Sequence, residues 1–130
     1  MSSFRPSDGV GLADGSGDGF VSLEGVGGPH QGFDMVWPMA IAMRALTAYD
    51  AAASSSAADQ DADAVADAEV EACLAALLES SAGSGLLHES FFVDDPRQFT
   101  RPWFAWVNGL FGDLVNRLID TRPWLVLRDY

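Results

Sequence analysis

Residues 85–115 read GLLHESFFVDDPRQFTRPWFAWVNGLFGDLV, and the two halves of that stretch follow different rules. The second half carries the clearest period in the chain. Trp103, Trp106, Val107, Leu110, Leu114 and Leu118 recur at i, i+3, i+4 and i+7 spacing. That predicts an amphipathic helix starting near Pro102 and closed by Pro123. The first half has neither helical period nor sustained alternation, so residues 84–100 read as a long loop. The loop is rich in polar heads, with His88, Glu89, Asp94, Asp95, Arg97 and Arg101 set among flat rings. Helices joined by polar-aromatic loops, with no convincing strand pattern, make the expected class all-α.

Upstream, DMVWPMAIAMRALTAY predicts a helix from Asp34. Met39, Met43 and Leu46 share one face, and the other faces are almost as apolar, so burial on several sides is expected. Pro38 is tolerable near a helix start. The tract AAASSSAADQDADAVADA that follows Tyr49 is low in complexity and reads as a linker fraying into the next helix. That helix, about 65–80, sets Val70, Cys73, Leu74 and Leu77 on one side and its acids on the other. SAGSG ends it, as glycine after a helix does. Residues 1–32 hold most of the glycines and read as loop. Within them DGSGDGFVSLEG imitates a calcium-binding loop through Asp14, Ser16, Asp18 and Gly19. Its twelfth position is Gly25, where a bidentate carboxylate is required, so an acidic turn is the better reading.

Composition narrows the function classes. The chain has 130 residues, 48% of them hydrophobic, enough for one small folded unit. Its formal charge is −12, from 19 acidic and 7 basic residues, which argues against nucleic acid or an anionic membrane surface as partner. Asp50, Asp59, Asp61, Asp63, Asp67, Glu69, Glu71 and Glu79 fall in one segment with no basic residue among them, a solvated face or linker. The single cysteine, Cys73, excludes an internal disulfide and reads as a buried thiol. No run approaches the roughly 18 apolar residues of a membrane span, and the N-terminus shows no signal-peptide pattern. Localisation is unread.

Two loops, GVGGPHQGFD and GLLHESFFVDDP, each end at the start of a helix. Brought together they would set His30, Asp34, His88, Glu89, Asp94 and Asp95 near Trp37, Trp103 and Trp106. Rings beside carboxylates suit a sugar, whose C–H face stacks on an indole while its hydroxyls bond to charged groups. Carboxyl pairs also carry glycosidic hydrolysis. The plainer alternative keeps the tryptophans as core, with Asp94 and Arg97 capping a turn. Metal binding is disfavoured, because His30 and His88 are far apart and no H-x-x-x-H or Cys/His spacing occurs.

EGVGGPHQGFDMVWPMAIAMRALT and the opening stretch together resemble the C-terminal part of glycoside hydrolase family 125. The likeness covers about residues 24–49 and 68–118, with H-E-S-F, D-D-P, F-T-R-P-W-F-A-W and G-P-H…D-M-x-W-P-M in order. The resemblance implies a metal-independent exo-α-mannosidase without cofactor. Its substrate would be a mannose-containing oligosaccharide or N-glycan, cleaved at α-1,6-linked mannose with inversion. It also implies part of an (α/α)6 barrel of the six-hairpin glycosidase type. Three to four helices with long active-site loops would be present, the helix from Asp34 inner and the acid-faced one outer. On this likeness Glu89 is the general base. His30, Asp34, Trp37 and His88 lie near the sugar, and Arg101, Trp103 and Trp106 form an aromatic-basic wall. The sequence departs from the family twice: about 51–66 looks like an insertion, and no residue matches the general acid, an upstream aspartate. The chain is therefore expected to be inactive alone, with the missing N-terminal part of the barrel as partner. The alternative is a non-catalytic carbohydrate- or partner-binding helical module.

Overall fold

The computed structural model describes residues 2–4, 25–28, 30, 32, 34–54 and 60–130. The string from Asp14 to Glu24 and residues 55–59 lie outside them. In chain order the elements are β1 (Ser2–Phe4), β2 (Gly25–Gly27), β3 (Met35–Val36), α1 (Pro38–Ser54), α2 (Gln60–Ser80), β4 (Ser90–Phe92), β5 (Asp95–Thr100), α3 (Ala105–Thr121) and α4 (Pro123–Val126). The molecule is mostly helical, with a small antiparallel component that the all-α expectation lacked.

The core forms where α1, α2 and α3 meet. Helix α1 contributes Ile41, Ala42 and Ala45, and the two alanines let α2 approach closely. Its predicted Met39–Met43–Leu46 face is corrected: Met43 is exposed, and the buried stripe runs through Ile41, Ala42, Ala45 and Ala52. Pro38 sits in the first helical position, where its missing N–H costs nothing. Helix α2 buries Ala66, Val70, Cys73, Leu74 and Leu77, the side its spacing predicted. Burial pushes the Cys73 thiol up to about 11, with Arg44 opposing and Glu69 adding. Both helices reach further into the Ala/Ser/Asp tract than expected, α1 to Ser54 and α2 back to Gln60.

The acids of α2 are not simply a solvated face. Glu69 pairs with Arg44, Glu71 with Arg128 at 2.6 Å, and Asp67 with Arg122, which also lies 3.8 Å from Asp63. Ser80 and Ser81 return their hydroxyls to the carbonyls of Leu77 and Leu78, each at 2.7 Å, and close the helix. Beyond them Ala82, Gly83 and Gly85 take left-handed backbone.

The largest correction is at 84–100. The second half of this expected loop is a hairpin, β4–β5, and β3 adds on the far side of β4 in the order β3–β4–β5. Phe91, fully buried in the central strand, pairs with Phe99 on one side and Val36 on the other. The strands are so short, and a bulge between Phe91 and Phe92 so disrupts alternation, that period 2 never shows in the sequence. Pro96 is tolerated because β5 is an edge strand. Residues 2–4 and 25–27, expected as loop, pair as a second small sheet. Gly27 is needed there, since a Cβ would collide with the Met35 carbonyl. Helix α3 begins at Ala105 rather than near Pro102, so Trp103 precedes it, and Val107, Leu114 and Leu118 form its buried stripe.

Candidate active site

Glu89 stands in the segment between α2 and β4, and the neighbouring residues fasten that segment at several points. Asn108 of α3 grips Leu87 by both backbone groups, accepting from its N–H at 3.1 Å and donating to its carbonyl at 2.8 Å. The same amide donates to the Phe104 carbonyl at 2.8 Å. His88, 1% exposed, holds Nδ1 2.8 Å from the Pro102 carbonyl and stacks on Phe99 with centroids 3.7 Å apart. A carbonyl only accepts, so Nδ1 is the donor here, and the other ring nitrogen is Nε2. That atom is buried without a hydrogen-bond partner among the described residues. Ser90 and Thr100 join hydroxyls at 2.6 Å across the hairpin.

The resulting pocket holds about 160 Å3 and is lined by His30, Trp37, Met39, Glu89, Phe104 and Trp106. Its lining draws on both predicted loops, His30 from the first and Glu89 from the second, and on the residues at the helix starts that follow them. Trp37 precedes α1 and is fixed by its N–H to the Val26 carbonyl at 2.9 Å, and His30 tilts against it with centroids 5.5 Å apart. Trp106, in the first turn of α3, is 71% exposed and presents its indole instead of burying it. Glu89 is the one carboxylate among these lining residues. Its Oε2 lies 2.5 Å from Nε of Arg101.

Four of the eight predicted site residues therefore line the pocket: His30, Trp37, Glu89 and Trp106. The other four do not. Arg101 reaches the pocket through Glu89 and the Phe104 ring, and His88 is buried outside the lining. Trp103 is exposed at 58%. Asp34 is exposed, and its carbonyl accepts from the Val93 N–H at 2.8 Å. The turn at 93–97 is organised by Asp95 and not by Asp94, with the Arg97 N–H donating to Asp95 Oδ1 at 3.1 Å. Sequence reading missed Met39 and Phe104, which look like core, and Asn108, whose amide on the inner side of an amphipathic helix was the available signal. No three His, Cys, Asp or Glu side chains among the described residues are grouped so as to hold a metal ion.

The sequence model of the metal-independent α-mannosidases, GH125, matches residues 19–116. This chain belongs to glycoside hydrolase family 125. It is 38% identical over 107 residues to the meiotically up-regulated gene 157 protein of Schizosaccharomyces pombe, covering 82% of this chain and 18% of that protein. It also superposes on a Streptococcus pneumoniae metal-independent α-mannosidase solved in a non-productive complex with α-1,6-mannobiose. The TM-score is 0.59 at 31% identity, covering 80% of this chain and 21% of that one. The family 125 chain thus spans about a fifth of either relative. The matched residues include the whole pocket lining.

Proposed function

We propose that these residues form the C-terminal portion of an α-mannosidase that removes terminal α-1,6-linked mannose with inversion, and that Glu89 is its general base. The observation that carries this is the placement of Glu89 in an aromatic pocket with His30, Trp37 and Trp106. In the proposed step Glu89 takes a proton from water as the water oxygen attacks the anomeric carbon. The glycosidic C–O bond breaks, and a general acid gives the leaving oxygen a proton. Trp37 and Trp106 stack against the sugar, while His30 and Asp34 stand on its approach. Inversion requires two carboxyl groups roughly 6.5–9.5 Å apart. The pocket lining supplies one, so the acid belongs to another part of a larger (α/α)6 barrel, for which α1 is an inner helix and α2 an outer one. Alone, the 130 residues should not hydrolyse mannosides. The single lining carboxylate also supports the second reading, a helical module that binds mannose-containing glycans without cleaving them.

The test uses the full-length protein on α-1,6-mannobiose. Glu89→Gln keeps shape and hydrogen-bonding reach but removes the base, so kcat should fall about 10²–10⁴-fold while binding survives. Trp106→Ala should instead raise KM, because stacking holds ground and transition states alike. Near-normal kcat in Glu89→Gln would remove the base assignment, and mannobiose binding without turnover in the unaltered protein would favour the binding module.

A further inference from the structure

Resting on the reading of Glu89 as the base, we infer that Arg101 is a positioning residue that aims this carboxylate, and not a sugar contact of the wall. The argument begins with register. Phe91 pairs with Phe99 and Ser90 with Thr100. Continuing that antiparallel register outward sets Glu89 opposite Arg101 and His88 opposite Pro102. Backbone pairing stops at Thr100 because Arg101 turns to φ +47, a left-handed conformation that residues with a Cβ rarely adopt.

The ladder nevertheless continues through side chains on the same register. Ser90 meets Thr100 hydroxyl to hydroxyl at 2.6 Å, Glu89 meets Arg101 at 2.5 Å, and His88 reaches the Pro102 carbonyl at 2.8 Å. Three successive rungs, each made by a polar side chain, brace one short segment that carries a pocket-lining carboxylate.

The guanidinium is held from a second side, 5.9 Å from the centroid of the Phe104 ring. Arg101 itself is absent from the pocket lining, whereas Glu89 and Phe104, the two groups it touches, both belong to it. An unusual backbone angle at a site of this kind is a mark of functional constraint. Here its consequence is specific: it ends the backbone ladder and delivers the guanidinium to Oε2. With Oε2 tied, Oε1 remains as the oxygen that can take a proton from water, and the rotamer about the carboxylate is set before sugar arrives.

The experiment measures kcat and KM of the full-length protein on α-1,6-mannobiose for Arg101→Gly, Arg101→Lys, Glu89→Gln and Trp106→Ala. Glycine adopts left-handed backbone readily, so Arg101→Gly removes the guanidinium while keeping the turn; matched circular dichroism and melting curves check that it does. Misplacing a reacting group costs about 10²-fold, so kcat of Arg101→Gly should fall by about that factor with KM little changed. Added guanidinium ion should restore part of that loss in Arg101→Gly and none in Glu89→Gln. Arg101→Lys, which keeps the charge but not the planar fork, should fall between. A raised KM with kcat intact, as for Trp106→Ala, would make Arg101 a sugar contact and overturn the inference. So would a kcat loss that guanidinium leaves untouched and Arg101→Lys does not share, since the backbone would then be responsible. If Glu89→Gln keeps its kcat, it is the base assignment that fails, whatever Arg101 does.

Discussion

Gly28 shows how one missing side chain shapes the site. It is buried, and a Cβ added there would stand 2.6 Å from Trp37 Cζ2 and 2.9 Å from His30 Nδ1 and Cε1. Both rings line the pocket, so the glycine permits the close seat that lets them do so. Gly28→Ala is expected to destabilise the protein by about 1–3 kcal/mol through overpacking and to displace both rings. Mannobiose affinity should fall in parallel. Denaturant unfolding and tryptophan fluorescence titration measure the two effects; unchanged affinity would mean that the rings move away from the pocket. G-V-G-G was visible in the sequence as a loop signal, but what each glycine faces was not. The tightest collisions come from Met35, Val36 and Trp37, about ten residues further on.

At the scale of elements the hairpin β4–β5 decides most. Asn108 takes the place of a neighbouring strand for Leu87, satisfying both its N–H and its carbonyl. Asn108→Ala leaves the Leu87 N–H without that acceptor and its carbonyl with only the Phe104 N–H at 3.3 Å, and should cost about 1–3 kcal/mol, read from denaturant midpoints. Disorder should extend to Glu89, visible as lost amide protection from Leu87 to Ser90. The turn of the hairpin adds a pH dependence. The Arg97 guanidinium beside Asp95, helped by Gln98 and the Arg97 N–H, holds that carboxyl below its ordinary 3.8. A depressed value means the folded state favours the charged form. This contribution is therefore present above about pH 4 and lost as pH falls through the lowered value. Asp95→Asn keeps the Oδ1 acceptor and removes the charge. Its stability deficit against the unaltered protein should be full at neutral pH and close as pH drops below 4. A deficit that stays constant through that range would assign the turn's strength to shape alone. The helices were legible because α2 and α3 carry long apolar stripes, whereas β4 buries two side chains and β5 only one, which leaves no period to read.

At the scale of the whole molecule, several large apolar side chains among the described residues are exposed. Trp103, Trp106, Trp124, Met43 and Ile119 are all at least half exposed, and Leu127 is 82% exposed. Met39, Met43, Trp106 and Leu110 line one open groove between α1 and α3. Monomers rarely tolerate contiguous apolar patches beyond a few hundred Å2. If a larger barrel covers these faces, the 130-residue chain alone should bind a hydrophobic dye and self-associate as its concentration rises. Dye fluorescence and sedimentation velocity decide it. A monodisperse monomer with a sharp cooperative melt and no dye binding would count against the barrel. Charge behaves otherwise than its linear arrangement implied. The acids of α2 look unpartnered along the chain, yet Arg44, Arg122 and Arg128 fold back on them from α1 and the C-terminal segment.

The sequence by itself determined which faces of α2 and α3 are buried, because apolar spacing at 3.6 residues per turn is local and repeated. Its ordered motifs determined the family as well, and with it the expectation for Glu89. Tertiary structure alone decided that the segment after His88 pairs as a strand, since that pairing needs Met35 and Val36 from more than fifty residues upstream. It also decided that Trp106 faces the pocket while Trp103 does not, because the N-terminus of α3 lies at Ala105. And it gave Arg101 a carboxylate rather than a sugar as its neighbour. Two residues twelve apart in sequence meet only when a hairpin holds their register, and no local pattern encodes that meeting.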